Sequence, residues 1–222
     1  DLIVLTEVNP KHSKYQRQVS EFQIQDYCVL TSGFEEKGHR GILIYYRDSI
    51  SILEQRMSSS FEEKLCVKLI IQKNILNILS IYRSPNSLSN NDDKFINMLE
   101  EFTLLRGDHL LLGDFNFPNI NWEQGNCWGS CDKIENRFLK FLSDRFWIQH
   151  ITEPTRTRNV QTPHILDLVL TSCDDVSDVQ YFSPLGSSDH SVIGFNVNMV
   201  KTKCGSRGKY CYDLGNYTCL NA

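Results

Sequence analysis

Eight apolar runs rich in Ile, Leu, Val and Tyr, with only two one-faced helices between them, constrain this chain more than any other feature of its sequence. The runs cover residues 2–6, 41–46, 50–54, 64–72, 75–82, 109–112, 165–171 and 191–197, and each predicts a β-strand. The first helix is predicted over 91–106, with Phe95, Met98, Leu99, Phe102 and Leu105 on one face. Asp92 and Asp93 fall in its first turn, where the helix dipole favours negative charge. The second is predicted over 133–145, with Ile134, Phe138, Phe141 and Leu142 at helical spacing. A weaker helix is placed at 11–22, and loops at 83–90 and 154–163. Many strands with a few one-faced helices predict an α/β sandwich: two packed sheets of mixed strands, flanked by helices. At 222 residues this is one large domain.

No apolar run approaches the roughly 20 residues needed to span a membrane, so the chain is expected to be soluble, with no membrane partner. A net charge of -4 does not advertise nucleic-acid binding, although total charge can hide a basic surface beside acidic metal ligands. The eight cysteines are scattered, several in apolar surroundings, and read as reduced intracellular thiols. Cys127 and Cys131 have no second Cys/His pair at ligand spacing, so no structural zinc is expected. The chain opens at Asp1 inside an apolar run, without initiator Met or signal peptide, and reads as a piece of something longer. The domain is placed at 1–200, and the aperiodic stretch 201–222 is read as a linker toward a neighbouring domain.

Two clusters carry chemistry. Leu110-Leu111-Leu112 ends abruptly in Gly113-Asp114-Phe115-Asn116, and Ser188-Asp189-His190 stands just before the apolar run Ser191 to Phe195. Together they suggest one metal-assisted hydrolytic site, since phosphodiester hydrolysis needs a cation, a positioned water and phosphate-holding donors. Glu7, at the end of the first strand, is a hard oxygen ligand of the kind Mg²⁺ accepts, though alone it reads as a solvated strand end. Asp114 is placed to orient the water and Asn116 to donate to the phosphate; as a lone tetrapeptide they would be an ordinary turn. His190, with an unperturbed pKa of about 6.5, suits proton transfer if a carboxylate fixes its tautomer. Asp189 adjoins it, and Asp167 is a carboxylate inside a buried-looking strand that needs a partner. Tyr82 and Arg83, with Asn86 beyond, offer a phenol and a guanidinium to a phosphate.

These residues match a family. Leu5-Thr6-Glu7, Arg40-Gly41, Ile81-Tyr82-Arg83-Ser84-Pro85-Asn86, Gly113-Asp114-Phe115-Asn116, Ile165 to Leu170 and Ser188-Asp189-His190 follow one another in the order of the endonuclease/exonuclease/phosphatase superfamily, which the chain resembles over nearly its whole length. Glu153-Pro154-Thr155-Arg156 and Ser183-Pro184-Leu185-Gly186 look like the endonuclease domain of non-LTR, jockey-like retrotransposons. The resemblance implies a four-layered α/β sandwich and a Mg²⁺-dependent nick, Mn²⁺ being the alternative ion, that leaves a 3′-hydroxyl to prime reverse transcription. It also implies target DNA, the element's RNA and a downstream reverse-transcriptase domain as partners, within a longer polyprotein acting in the nucleus. By motif, Glu7 and Asp189 would be metal residues, and Asp114, Asn116, Asp167, His190 and Tyr82 catalytic. Asn86, Arg83, Arg40, Ser188 and Thr155 would contact phosphate or DNA.

The family opens with an asparagine-bearing strand that would precede Asp1. Without it, weak or no activity is expected, and a strand of one sheet should lie unpaired on one side. Two other readings compete. One is a phosphatase or lipid phosphodiesterase on the same catalytic residues; Arg156, Arg158, Lys201, Lys203, Arg207 and Lys209 favour DNA instead. The other is a catalytically dead remnant serving as an interaction domain, against which the intact Glu7, Asp114, Asn116, Asp167 and His190 argue.

Overall fold

The computed structural model describes residues 1–9, 17–34, 38–157 and 162–199. Its strands and helices follow the chain as β1 (Leu2–Thr6), β2 (Tyr27–Ser32), β3 (Ile42–Arg47), β4 (Ile52–Glu54), β5 (Lys64–Ile71), β6 (Asn74–Tyr82), α1 (Ser89–Thr103) and β7 (Asp108–Asp114). They continue as β8 (Ile120–Asn121), β9 (Asn126–Cys127), α2 (Ile134–Asp144), β10 (Ile148–Gln149), β11 (Asp167–Thr171), β12 (Val176–Phe182) and β13 (Val192–Val197). A six-stranded sheet has the order β10-β11-β7-β6-β5-β4, and a three-stranded sheet the order β1-β3-β2. Among the described residues only β6 and β7 pair in parallel; α1 carries the chain between them. β12 and β13 form a separate hairpin.

Alternation along the central strands makes the layers. Leu111 of β7, Leu79 and Ile81 of β6, and Leu168 and Leu170 of β11 face one way, onto Phe95, Met98, Leu99 and Phe102 of α1 and Phe138, Phe141 and Leu142 of α2. Leu110, Leu112, Ile78 and Val169 face the other way, onto Ile42 and Ile44 of the three-stranded sheet and onto the flank of the β12–β13 hairpin. Phe95 is fully buried among the rings of Phe61, Phe115, Phe117 and Phe138, at centroid distances of 5.4 to 6.2 Å. Burying one such ring contributes about 3 kcal/mol. The fourth layer is thin among the described residues. A 3₁₀ turn, Val19–Phe22, puts Phe22 edge-on to Phe34 over the outer face of the small sheet.

The expected strands and both helices are present, with ends shifted by one to three residues. β1 pairs with β3 alone, so its other edge meets no strand among the described residues, as expected of it. Of the helix expected over 11–22, only the 3₁₀ turn lies within the described residues; the linker 201–222 and Arg158 lie outside them. β2, β12 and the two-residue strands β8, β9 and β10 were not foreseen. β12 (Val-Ser-Asp-Val-Gln-Tyr-Phe) belongs to a two-stranded hairpin with a register irregularity between Ser177 and Gln180, so it carries little apolar signal. The described cysteines are free thiols, as anticipated.

Candidate active site

Sheet register brings the chemistry together. Tyr82, the last residue of β6, lies opposite Asp114, the last of β7, and Asp114 lies opposite Asp167, the first of β11. The parallel β6–β7 pair makes two strands end side by side, and the antiparallel β11 begins there. Directly opposed residues point to the same face, so three side chains distant in sequence form one row. Gly113 enforces the close approach: at φ 131° a Cβ would lie 2.0 Å from the Ile81 carbonyl oxygen, so only glycine fits.

Asp114 is buried, and its Oδ1 and Oδ2 accept from the backbone and side-chain nitrogens of Asn116 at 3.1 and 2.8 Å. Asn116 holds this clasp in the left-handed region, φ 50°, a conformation asparagine tolerates. Its Nδ2 donates a second bond to the Arg83 carbonyl at 2.9 Å, which ties the end of β7 to the end of β6. Burial, reinforced by the charge of Asp167, pushes the Asp114 carboxyl up to about 8. His190 Nδ1 lies 2.7 Å from Asp167 Oδ2. Burial alone would lower this imidazole, but the bond to Asp167 and the charges of Asp167, Asp114 and Asp189 raise it. That bond leaves Nε2 as the ring nitrogen free for chemistry.

His190 is positioned by a short bridge to Arg156, and its N–H donates to Ser188 Oγ at 3.1 Å. Arg156 Nε donates to Asp189 Oδ2 at 2.7 Å, so Asp189 is an ion-pair partner beside the imidazole, and Arg156 is committed to it. On the other flank, Glu7 follows β1 with a left-handed backbone, φ 55°, and lies 3.4 Å from the Arg40 guanidinium. The Tyr82 hydroxyl bonds to Glu7; burial, then that bond, raises the phenol, which stays protonated.

Glu7, Arg40, Tyr82, Asp114, Asn116, Asp167, Ser188, Asp189 and His190 thus converge. Three other candidates are placed differently. Thr155 is fully buried, and its hydroxyl accepts from the Leu166 and Asp167 amides at 3.1 and 3.0 Å, so it fixes the start of β11 and touches no solvent-borne phosphate. Arg83 is buried too, its Nε and Nη2 donating to the two oxygens of Asp92 at 2.9 and 3.1 Å, over the Phe117 ring. Asn86 is exposed in the turn between Ser84 and Ser87, beyond Arg83. Glu63 was not foreseen. Its buried carboxylate accepts from the Arg40 and Gly41 amides, and nothing in Phe61-Glu62-Glu63-Lys64 distinguishes it from its exposed neighbour Glu62.

Asp114, Asp167 and His190 offer ligand atoms within 4.8 Å of one another. Two carboxyl groups at that range, one of them buried, resist ionising together, a cost that a divalent cation would relieve, and oxygen donors suit Mg²⁺ or Mn²⁺. A second group, Asp108, Cys173 and Asp175, is less suited, because burial and Asp175 push the Cys173 thiol up to about 12.

The family described as endonuclease-reverse transcriptase matches residues 76–194, more than half of the chain and all of the row from Tyr82 to His190. No curated protein sequence matches. Solved structures share the fold. The endonuclease domain of TRAS1, a telomere-specific non-LTR retrotransposon, is 16% identical, with a TM-score of 0.59 over 79% of this chain and 80% of that one. The 3′-5′ exonuclease NExo from Neisseria meningitidis is 14% identical, with a TM-score of 0.63 over 89% of each chain. An AP endonuclease from Archaeoglobus fulgidus is 13% identical, with a TM-score of 0.55 over 89% of this chain and 88% of that one. With strands and helices in the layers of the endonuclease/exonuclease/phosphatase fold and a family match that runs through the row from Tyr82 to His190, this chain belongs to the endonuclease-reverse transcriptase family.

Proposed function

We propose that the chain is the metal-dependent DNA endonuclease domain of a non-LTR retrotransposon, which hydrolyses one phosphodiester of its target and leaves a 3′-hydroxyl for reverse transcription. The observation that carries this reading is the His190–Asp167 pair at 2.7 Å, set beside an Asp114 whose two oxygens are held by Asn116. Asp167 keeps the proton of His190 on Nδ1 and turns Nε2 toward the substrate, where it meets a phosphate oxygen or the departing oxygen. Asp114, raised by burial, holds a proton near neutral pH; a bound cation would favour its ionised form, which would take a proton from water, and Asn116 fixes its orientation. Tyr82, protonated and bonded to Glu7, offers its hydroxyl at the same edge. Glu7, with Asp189 and the Asp114–Asp167 pair nearby, would hold Mg²⁺ or Mn²⁺. The ion would neutralise charge developing on the phosphate and the leaving oxygen. In this reading the partners are target DNA, the element RNA and a reverse-transcriptase domain of the same polyprotein, working in the nucleus.

Supercoiled plasmid tests it. Incubated with Mg²⁺, the chain preceded by the family's asparagine-bearing strand is expected to yield open circles whose new 3′ ends a polymerase extends, and the chain alone few or none. Nicking by neither form, or ends that no polymerase extends, would overturn the reading. Release of phosphate from an inositol phosphate without nicking would transfer the site to the phosphatase branch of the fold.

A further inference from the structure

Glu7 and Tyr82 are reached by a closed ring of contacts that passes through one residue outside the catalytic row. The Glu63 carboxylate, buried at the start of β5, accepts the Arg40 amide at 2.9 Å on each oxygen and the Gly41 amide at 3.0 Å. The carbonyls of the same two residues accept the chain that follows Glu7: Asn9 N–H donates to Arg40 O at 2.7 Å and Val8 N–H to Gly41 O at 3.5 Å. The Arg40 side chain reaches Glu7 at 3.4 Å. Glu7 receives the Tyr82 hydroxyl, and the Tyr82 amide returns to the Glu63 carbonyl at 3.2 Å. Gly41 must be glycine for the ring to close. At φ 74° a Cβ would meet Val8 at 3.0 Å, Asn9 at 3.1 Å and Phe34 at 3.2 Å.

We infer that Glu63 is the positioning residue for the metal-binding flank: it fixes the Arg40–Gly41 backbone, which in turn holds Glu7 in its orientation beside Tyr82. Two features make the role specific. Glu7 stands in the left-handed region, which costs a non-glycine residue about 1 kcal/mol, so the carboxylate keeps this place only while its neighbours are held. The bonds that hold them end on Glu63. A buried carboxylate serving backbone N–H groups is also expensive to strand, so its place argues for work done on that backbone. The inference rests on the nuclease reading for its chemistry, but its mechanical part does not.

The test uses Glu63→Gln, which keeps size and one acceptor oxygen and removes the other. Hydrogen exchange at the Val8 and Asn9 amides is expected to accelerate at least tenfold. Mn²⁺ binding, followed by electron paramagnetic resonance, is expected to weaken about tenfold, while thermal melting stays cooperative. At saturating metal the nicking rate falls, with the affinity for DNA in the absence of metal unchanged. Arg40→Gln is the second arm: it spares the Glu63–backbone bonds and removes a cation that competes for Glu7, so exchange at Val8 and Asn9 should keep its wild-type rate and Mn²⁺ binding should not weaken. Glu63→Gln with wild-type exchange and wild-type Mn²⁺ affinity overturns the inference, even if its melting temperature drops. If it loses cooperative melting, Glu63→Asp, which keeps the charge and shortens the reach, takes its place, and wild-type exchange with wild-type Mn²⁺ affinity there overturns the inference. A wild-type chain that neither binds Mn²⁺ nor nicks DNA even with the asparagine-bearing strand restored overturns the nuclease reading, and exchange at Val8 and Asn9 then still decides whether Glu63 holds the Glu7 backbone.

Discussion

Two groups of buried charge lie back to back at the ends of β6 and β7, and they are resolved in opposite ways. In one, Arg83 meets Asp92 through two bonds of 2.9 and 3.1 Å, with its guanidinium 4.5 Å from the Phe117 ring centroid and Nη1 on the Asn116 carbonyl. Each charge has its opposite, and the aromatic layer closes over them. In the other, on the far side of Asn116, Asp114 and Asp167 share one imidazole, and Asp114 is pushed up to about 8. Asn116 belongs to both, donating to the Arg83 carbonyl and to Asp114. The contrast separates scaffold from candidate site: a closed pair holds the strand ends, and in the proposed function the open one would take a cation and a phosphate.

The most drastic way to break the comparison is to remove what both groups stand on. Gly113→Ala drives a Cβ into the Ile81 carbonyl and is expected to cost about 3 kcal/mol or more, read as loss of a cooperative thermal transition. Retention of the wild-type melting temperature would mean that the β6–β7 register does not support the row. Asp92→Asn strands a buried guanidinium and should cost about 3–5 kcal/mol in denaturant melts. Replacing the pair together, Arg83→Met with Asp92→Leu, should recover most of that stability, because desolvation of both charges is then avoided.

Asp167→Asn should act in the reverse sense. It removes a carboxylate that repels Asp114, so metal-free stability is expected to hold or rise, while nicking falls about 10²- to 10⁴-fold as His190 loses its orienting charge. A stability loss as large as that of Asp92→Asn would erase the distinction between the two groups. The mildest test is pH. Asp114 keeps its proton in the folded state to about 8, whereas the unfolded chain releases it near 3.8, so its contribution is fully present below the lower value and is lost as pH rises toward the upper one. The raised His190 works with the same sign, losing its contribution as pH climbs through its folded value. The metal-free melting temperature should therefore fall by a few degrees as pH rises from about 4 to 8. Asp114→Asn should flatten most of the slope, and Mg²⁺ should restore more stability at pH 8 than at pH 5.

Much of this was legible in the sequence because the signals are local. The apolar faces of α1 and α2 and the triple leucine of β7 survive translation into structure almost unchanged. The catalytic row was legible as motifs at strand ends, and Asp167 announced its need of a partner by sitting among apolar neighbours. What could not be read was commitment across strands. Arg83 looks like a phosphate ligand until Asp92, nine residues on, is seen to close on it. Arg156 reads as a surface cation until Asp189 takes it, and Thr155 as a DNA contact until the Leu166 and Asp167 amides do. Glu63 gives no local sign at all, since its value depends on two amides 22 and 23 residues away.

The row across the strand ends has a temporal meaning as well as a spatial one. Glu7, Tyr82, Asp114, Asp167 and His190 come from β1, β6, β7, β11 and the approach to β13, so the ribosome delivers them singly and in that order. At synthesis rates of about 5–20 residues per second, the first waits roughly ten seconds or more for the last. Until His190 emerges no subset holds the Asp167–His190 pair. The row therefore closes only when its last member arrives, an order set by the succession of the strands.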